Sequence, residues 1–204
     1  RIVTPTPPAS DRVLPLPHRF VRHRGATAFG MQINGCETGG SLDADLTDIG
    51  DLGFTWIKQQ VRWGDMTTPA RIDWSCLDRV VPAVNRHGFR LLLSVTTAPA
   101  HRRMARDTLG FPDRPEDFGY FLYALLTRYP GQVHALEVWN EPNIVAESSD
   151  GVSALRYMAF LTMGYGIARH VDPAIRVISA APAPVALSTG IDAAIADDAF
   201  LKKL

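Results

Sequence analysis

From residue 26 onward, short apolar runs alternate with longer amphipathic ones, and few architectures accommodate that alternation. It is the pattern of parallel strands joined by helices. Five strands are expected near 26–33, 54–61, 89–95, 133–139 and 175–181, with helices near 42–52, 74–87, 115–129 and 151–170. Asp73 can cap the second helix, Gly88 can end it, and Pro115 suits a first helical position. Pro82 falls inside the second helix and removes a hydrogen bond there, so a kink or a late start is expected. Phe118, Phe121, Leu122, Leu125, Leu126 and Tyr129 form one apolar stripe on the third helix, which reads as core.

The connections are asymmetric. Helix-to-strand links are short, with Gly53, Gly88 and Gly131 just before the second, third and fourth strands. Strand-to-helix links are long, above all 97–114 and 142–150. Long loops in a compact α/β domain usually carry function, so the chemistry is expected at the C-terminal ends of the strands.

Composition narrows the partners. Lys plus Arg and Asp plus Glu number 21 each, so no whole-molecule field gathers nucleic acid or an anionic membrane. A neutral ligand fits better. No apolar run nears the roughly 20 residues of a membrane span, and no membrane contact by the domain itself is expected. No Gly-rich phosphate loop follows a strand, so no nucleotide cofactor is expected. Cys36 and Cys76, the two cysteines, make neither a zinc site nor a disulfide framework, and a single bridge between them stays open. Residues 1–25 are proline-rich and then basic, without helical or strand periodicity, and read as a linker or stalk ahead of a domain spanning 26–204. A stalk of this kind points to an extracellular or cell-surface setting.

The fourth strand runs into "EVWNEPN", Glu137 to Asn143, which sets Asn140 and Glu141 where a strand stops and a proline follows. The second ends in "KQQVRW", with Arg62 and Trp63 at its close, and the third runs into "SVTTAPA". With these motifs at these strand ends, the chain resembles the first half of the (β/α)8 glycosidases of glycoside hydrolase clan A. Its nearest likeness is to the cellulase-like and β-xylosidase-like branch, family 39 in character.

The resemblance implies a fold, an activity and a site. The fold is α/β, the N-terminal portion of a TIM barrel, about five β/α units. The activity is retaining hydrolysis of O-glycosidic bonds in plant- or microbial-type oligo- and polysaccharides, without a cofactor or metal. Glu141 maps onto the general acid/base, Asn140 onto the contact to the sugar 2-hydroxyl, and Arg62 onto the arginine that keeps the nucleophilic carboxylate ionised. Such cleavage needs one carboxyl held protonated near neutral pH and a second that is ionised. Partial burial beside Trp139 would raise the pKa of Glu141, as an acid requires.

Trp63, Trp139 and His101 are the ring-bearing residues best placed for sugar, and Trp139 suits the core equally well. Relatives often carry tryptophan where His101 follows Ala-Pro-Ala, so the subsites here depart from theirs. Glu37, after the first strand, is a rim carboxylate better suited to binding hydroxyls than to catalysis. The period-2 rule sets Trp56, Lys58, Gln60 and Arg62 on one strand face, and Ala135, Glu137, Trp139 and Glu141 on another. If both faces point inward, Lys58 and Glu137 can pair, since a buried charge persists only when paired.

A full barrel takes about 250 residues and eight strands, whereas this chain has 204 and five. The family's nucleophile, a glutamate ending the seventh strand, lies outside these residues. The chain therefore reads as a fragment of a longer glycosidase, inactive alone, or as an α/β domain that binds carbohydrate without cutting it.

Overall fold

The alternation of runs becomes five strands and the helices between them. The computed structural model describes residues 28–37, 40–104, 109–148, 151–185 and 194–204; the stalk expected at 1–25 lies outside the described residues. In chain order the elements are β1 (Gly30–Ile33), α1 (Leu42–Asp51), β2 (Trp56–Arg62), α2 (Ser75–Arg86), β3 (Arg90–Thr96), α3 (Pro115–Arg128), β4 (Ala135–Val138), α4 (Val145–Ser148), α5 (Ala154–Val171), β5 (Arg176–Ser179) and α6 (Asp197–Leu201). A short 3-10 turn, Trp63–Met66, follows β2 directly.

Each strand pairs in parallel with its sequence neighbour, in the order β1-β2-β3-β4-β5. An open doubly wound sheet reverses its strand order at a switch point, and this one does not. A sheet that adds every strand on the same side is a barrel segment, a partial α/β barrel.

The faces of the sheet divide as the period-2 rule requires. Ile57, Val61, Leu91, Leu93, Val95, Leu136 and Val138 are buried in the main apolar core. The α3 stripe, Phe118 through Leu126, is buried in the same core together with Tyr129. Helix α5 lies so close to β4 that a Cβ on Gly164 would stand 2.7 Å from Val138 Cγ2, which is why glycine occupies that turn. On the opposite face Lys58 Nζ meets Glu137 Oε2 at 2.5 Å, reaching past β3 to join β2 to β4 as the sequence suggested. At the flanks this face is open: Gln32 of β1 and Ile178 of β5 are exposed.

Local signals account for the helix ends. Asp73 Oδ1 accepts from the Ser75 amide at 2.9 Å, satisfying one free donor at the start of α2, and Gly88, at φ 78°, turns the chain into β3. Pro82 causes no late start, because α2 is already running from Ser75. The bond it removes is to the carbonyl four residues back. The same helix is tied to α3 by Arg128, whose guanidinium forks onto both oxygens of Asp78 at 2.8 and 2.6 Å.

Tyr157 of α5 closes the C-terminal end of the sheet. Its buried hydroxyl donates to the Val138 carbonyl (3.1 Å) and accepts from the Ala180 amide (2.6 Å), joining the ends of β4 and β5. Burial pushes the phenol up to about 12, so it stays a donor at any ordinary pH. Tyr157→Phe leaves a buried carbonyl and a buried amide without partners and is expected to cost about 2 kcal/mol. Denaturant unfolding checks it: an unchanged midpoint would remove the hydroxyl from the account.

Candidate active site

Parallel strands bring their C-terminal ends to one rim, so Arg62, ending β2, and Asn140 and Glu141, following β4, share it. The rim is where the backbone is strained. Among the described residues, Thr97, Trp139 and Glu141 are the non-glycine residues with positive φ, at 54°, 76° and 42°, and all three lie within three residues after β3 or β4. A bulky residue in that region costs of order 1–3 kcal/mol and persists only when its surroundings enforce it.

Several contacts do the enforcing. The Trp139 amide makes the last sheet bond, to Val95 O at 2.9 Å, and the Glu141 amide donates to Ala181 O at 3.2 Å. Asn143, fully buried, donates to the carbonyls of Ala183 and Ile195, both at 3.0 Å, and accepts from the Ala183 amide at 2.7 Å. The second asparagine of the motif thus pins the loops after β4 and β5 together. Ser148 Oγ donates to Pro142 O at 2.9 Å from the far side.

The left-handed turn at Trp139 corrects one expectation. It takes residue 139 off the strand's alternation, and the indole packs on Phe111, with ring centroids 4.3 Å apart, and near Phe118 and Phe160. Trp139 is 0% exposed and offers no ring face to a sugar. Trp63, expected to bind sugar too, is 3% exposed and stacks on Phe121 at 5.1 Å. Apolar rings next to a large core gain more from burial than from a wet rim.

Arg62 Nε donates to Asp65 Oδ2 at 2.8 Å within the turn that follows β2. Both groups are well exposed, so the pair is worth about 0–1 kcal/mol. Arg62 also lines a cleft of about 350 Å³ with Asn34, Gln60 and Asp65, beside the bridge between Cys36 and Cys76. His101 lies elsewhere, in a cleft of about 410 Å³ with Arg71, Asp117 and Tyr120 that includes none of Arg62, Asn140 or Glu141. Glu37 is exposed, accepts from the Asn34 side chain, and has its own carbonyl within reach of Arg79.

One rim carboxylate was not anticipated. Glu147, on α4, accepts from Thr96 Oγ1 at 3.2 Å, and its backbone carbonyl accepts from Trp139 Nε1 at 2.8 Å. Burial pushes its carboxyl above the ordinary 4.5 and the nearby Glu141 adds to this, while Thr96, Arg62 and the Asn140 amide pull the other way. Four residues of helix in a long loop carry no periodicity, so the sequence held no signal for it.

A carboxyl raised by the fold favours the folded state while it is neutral. That contribution is full below the unfolded pKa and is lost as pH rises through the folded one. Glu147→Gln, which cannot ionise, should therefore be more stable than the parent at pH 7, with the gap closing toward pH 4. Melting both proteins across that range tests it; a gap that widens in acid would reverse the sign.

No protein-family model matches the sequence, and no curated protein matches it. Among solved structures the chain is similar to a glycoside hydrolase at TM-score 0.58 and 14% identity, covering 76% of this chain and 52% of that one. It is similar to a family 39 glycoside hydrolase of the gut symbiont Bacteroides cellulosilyticus WH2, at 0.56 and 20%, covering 74% and 30%. A third is an endoglucanase of the hyperthermophilic Thermotoga maritima, at 0.55 and 17%, covering 74% and 51%. The chain thus spans about half or less of the length of these structures. At such identities the likeness is one of fold: the five parallel strands and their helices are part of an α/β barrel matching those of glycoside hydrolases.

Proposed function

We propose that residues 26–204 are the N-terminal part of a retaining glycosidase of family 39 character, with Glu141 as its general acid/base. The observation that carries this reading is the Asn140-Glu141 pair, with Glu141 at a positive φ, on the rim that Arg62 shares, in a barrel segment with glycoside-hydrolase neighbours. In the first step Glu141 gives its proton to the glycosidic oxygen as the bond to the anomeric carbon breaks, and a carboxylate from a later strand bonds that carbon. In the second, Glu141 takes a proton from the water that displaces the carboxylate. Asn140 holds the 2-hydroxyl, and Arg62 leaves Asp65 to keep the nucleophile ionised. His101 and Glu37 are assigned to outlying sugar contacts.

The bridge between Cys36 and Cys76 supports an extracellular or cell-surface setting, since disulfides persist in oxidising compartments. Among the described residues no helix is long and apolar enough to cross a membrane.

The reading is tested by incubating the full-length protein that carries these residues with aryl glycosides and following the anomeric configuration of the first product. Retention is expected. Inversion would sink the mechanism, and binding without turnover would make the domain a carbohydrate-binding module. The 204-residue chain alone is expected to show no turnover and to self-associate, because β1 and β5 flank the sheet without a further partner strand among the described residues. Sizing and the same assay check this; a compact, active monomer would refute it.

A further inference from the structure

We propose that the cleft lined by His101 is a second carbohydrate site, apart from the rim that carries Glu141, and that it takes a uronic-acid unit of an acidic polysaccharide. The cleft measures about 410 Å³ and lies between the loop after β2 and the start of α3, with none of Arg62, Asn140 or Glu141 in its lining. That volume suits a small ligand, since such sites run from about 300 to 1,000 Å³. The inference goes beyond the glycosidase reading and requires no bond to be cleaved.

The chain as a whole is balanced in charge, but this cleft is not. Among the described residues its lining holds two guanidiniums, Arg71 and Arg102, against one carboxylate, Asp117. Both arginines sit on fixed backbone. The Thr68 amide donates to the Arg71 carbonyl at 2.9 Å, the Arg71 amide returns to Thr68 Oγ1 at 3.2 Å, and Thr67 pairs with Ile72 across the turn. Arg102 donates its amide to Pro99 O and accepts from the Asp113 amide, both at 2.9 Å, while its guanidinium donates to Asp117 Oδ1 at 2.9 Å. Arg71 is exposed and makes no ion pair among the described residues, and the nearby Asp73 gives its Oδ1 to the Ser75 amide. Tyr120 adds an aromatic ring that is 75% exposed.

Each part matches a different part of one ligand. A guanidinium fork binds a carboxylate through paired N–H groups, which is the use of Arg71 and Arg102. Asp117 only accepts, so its second oxygen suits a hydroxyl. The Tyr120 ring offers an apolar face to the C–H side of a pyranose. A ring with one carboxylate and several hydroxyls meets all three. A bare phosphate or sulfate would leave the tyrosine unused and be repelled by Asp117.

The test is titration calorimetry on the full-length protein with oligomers of galacturonate, glucuronate and mannuronate, each paired with the same oligomer after its carboxylates are reduced to alcohols. A Glu141→Ala background is used throughout, so that no ligand is consumed. At least one acidic oligomer is expected to bind about tenfold or more tightly than its reduced form, with the preference shrinking as salt rises. Arg71→Gln should weaken that binding about tenfold or more, as for one lost hydrogen bond to a charged group. Tyr120→Ala should weaken acidic and reduced oligomers alike, because the ring contact carries no charge. Both side chains are exposed, so an unchanged melting midpoint shows that the variants remain folded. No preference for any acidic oligomer, or a preference that survives Arg71→Gln, would overturn the proposal. Binding is read here without turnover, so its failure is separate from a failure of the aryl-glycoside assay.

Discussion

Glu141→Ala in the full-length protein is expected to lower kcat/KM on unactivated glycosides by about a thousandfold or more, near the upper range for losing a general acid. On aryl glycosides with good leaving groups the first step needs no proton, and the loss there should be far smaller. With such substrates the slow step becomes attack of water on the glycosyl-enzyme, because the base is gone as well. Added azide, which needs no base, should then restore turnover and yield a glycosyl azide of retained configuration. Equal losses on both substrate classes would remove Glu141 from the acid/base role. The effect is expected to be clean because the loop is held from several sides. Asn143, Ser148 and the Glu141 amide fix the backbone independently of the Glu141 side chain.

The second large effect is on stability. Cys36 and Cys76 are bonded, with Cα atoms 5.3 Å apart and a sequence separation of 40. In the chain-entropy account a closed loop of that length is worth about 4 kcal/mol, through restriction of the unfolded chain. For a domain of this size that is a shift of about 10 °C in the unfolding midpoint. The bridge joins the loop after β1 to the first turn of α2, and β1 is only four residues long. Melts of the Cys36→Ser/Cys76→Ser double variant, or of the parent with reductant, should show the shift. A midpoint unmoved by reduction would mean that the bridge constrains little.

What could be read from the sequence was what periodicity and punctuation encode. The alternation of runs located all five strands, and Gly88 and Pro115 marked real helix boundaries. The Lys58–Glu137 pair followed from the two-residue repeat while both residues stayed inside regular strands. The same rule failed two positions later. Trp139 lies beyond the last residue of β4, where the positive φ sends its ring into the core, and nothing about tryptophan advertises a left-handed backbone. Asn143 reads as one more polar residue of a rim motif, yet its three buried hydrogen bonds make it a clamp between two loops. Glu147 was invisible for a related reason. Its partner Thr96 comes from another strand, and only the assembled rim brings the two together.

The strand order, in which each strand lies beside the one made just before it, bears on how the protein is born. Synthesis proceeds at roughly 5–20 residues per second and exposes the chain from its N-terminus. Each strand leaving the ribosome would meet its pairing partner already outside, with no need to wait for a distant segment. The cysteine bridge fits this schedule, since its second half arrives with the start of α2, before any of β3 has been translated. The growing sheet carries one fresh edge at a time, always on its newest strand. Assembly is thereby vectorial, and a pause in translation would leave a shorter sheet that is already correctly paired.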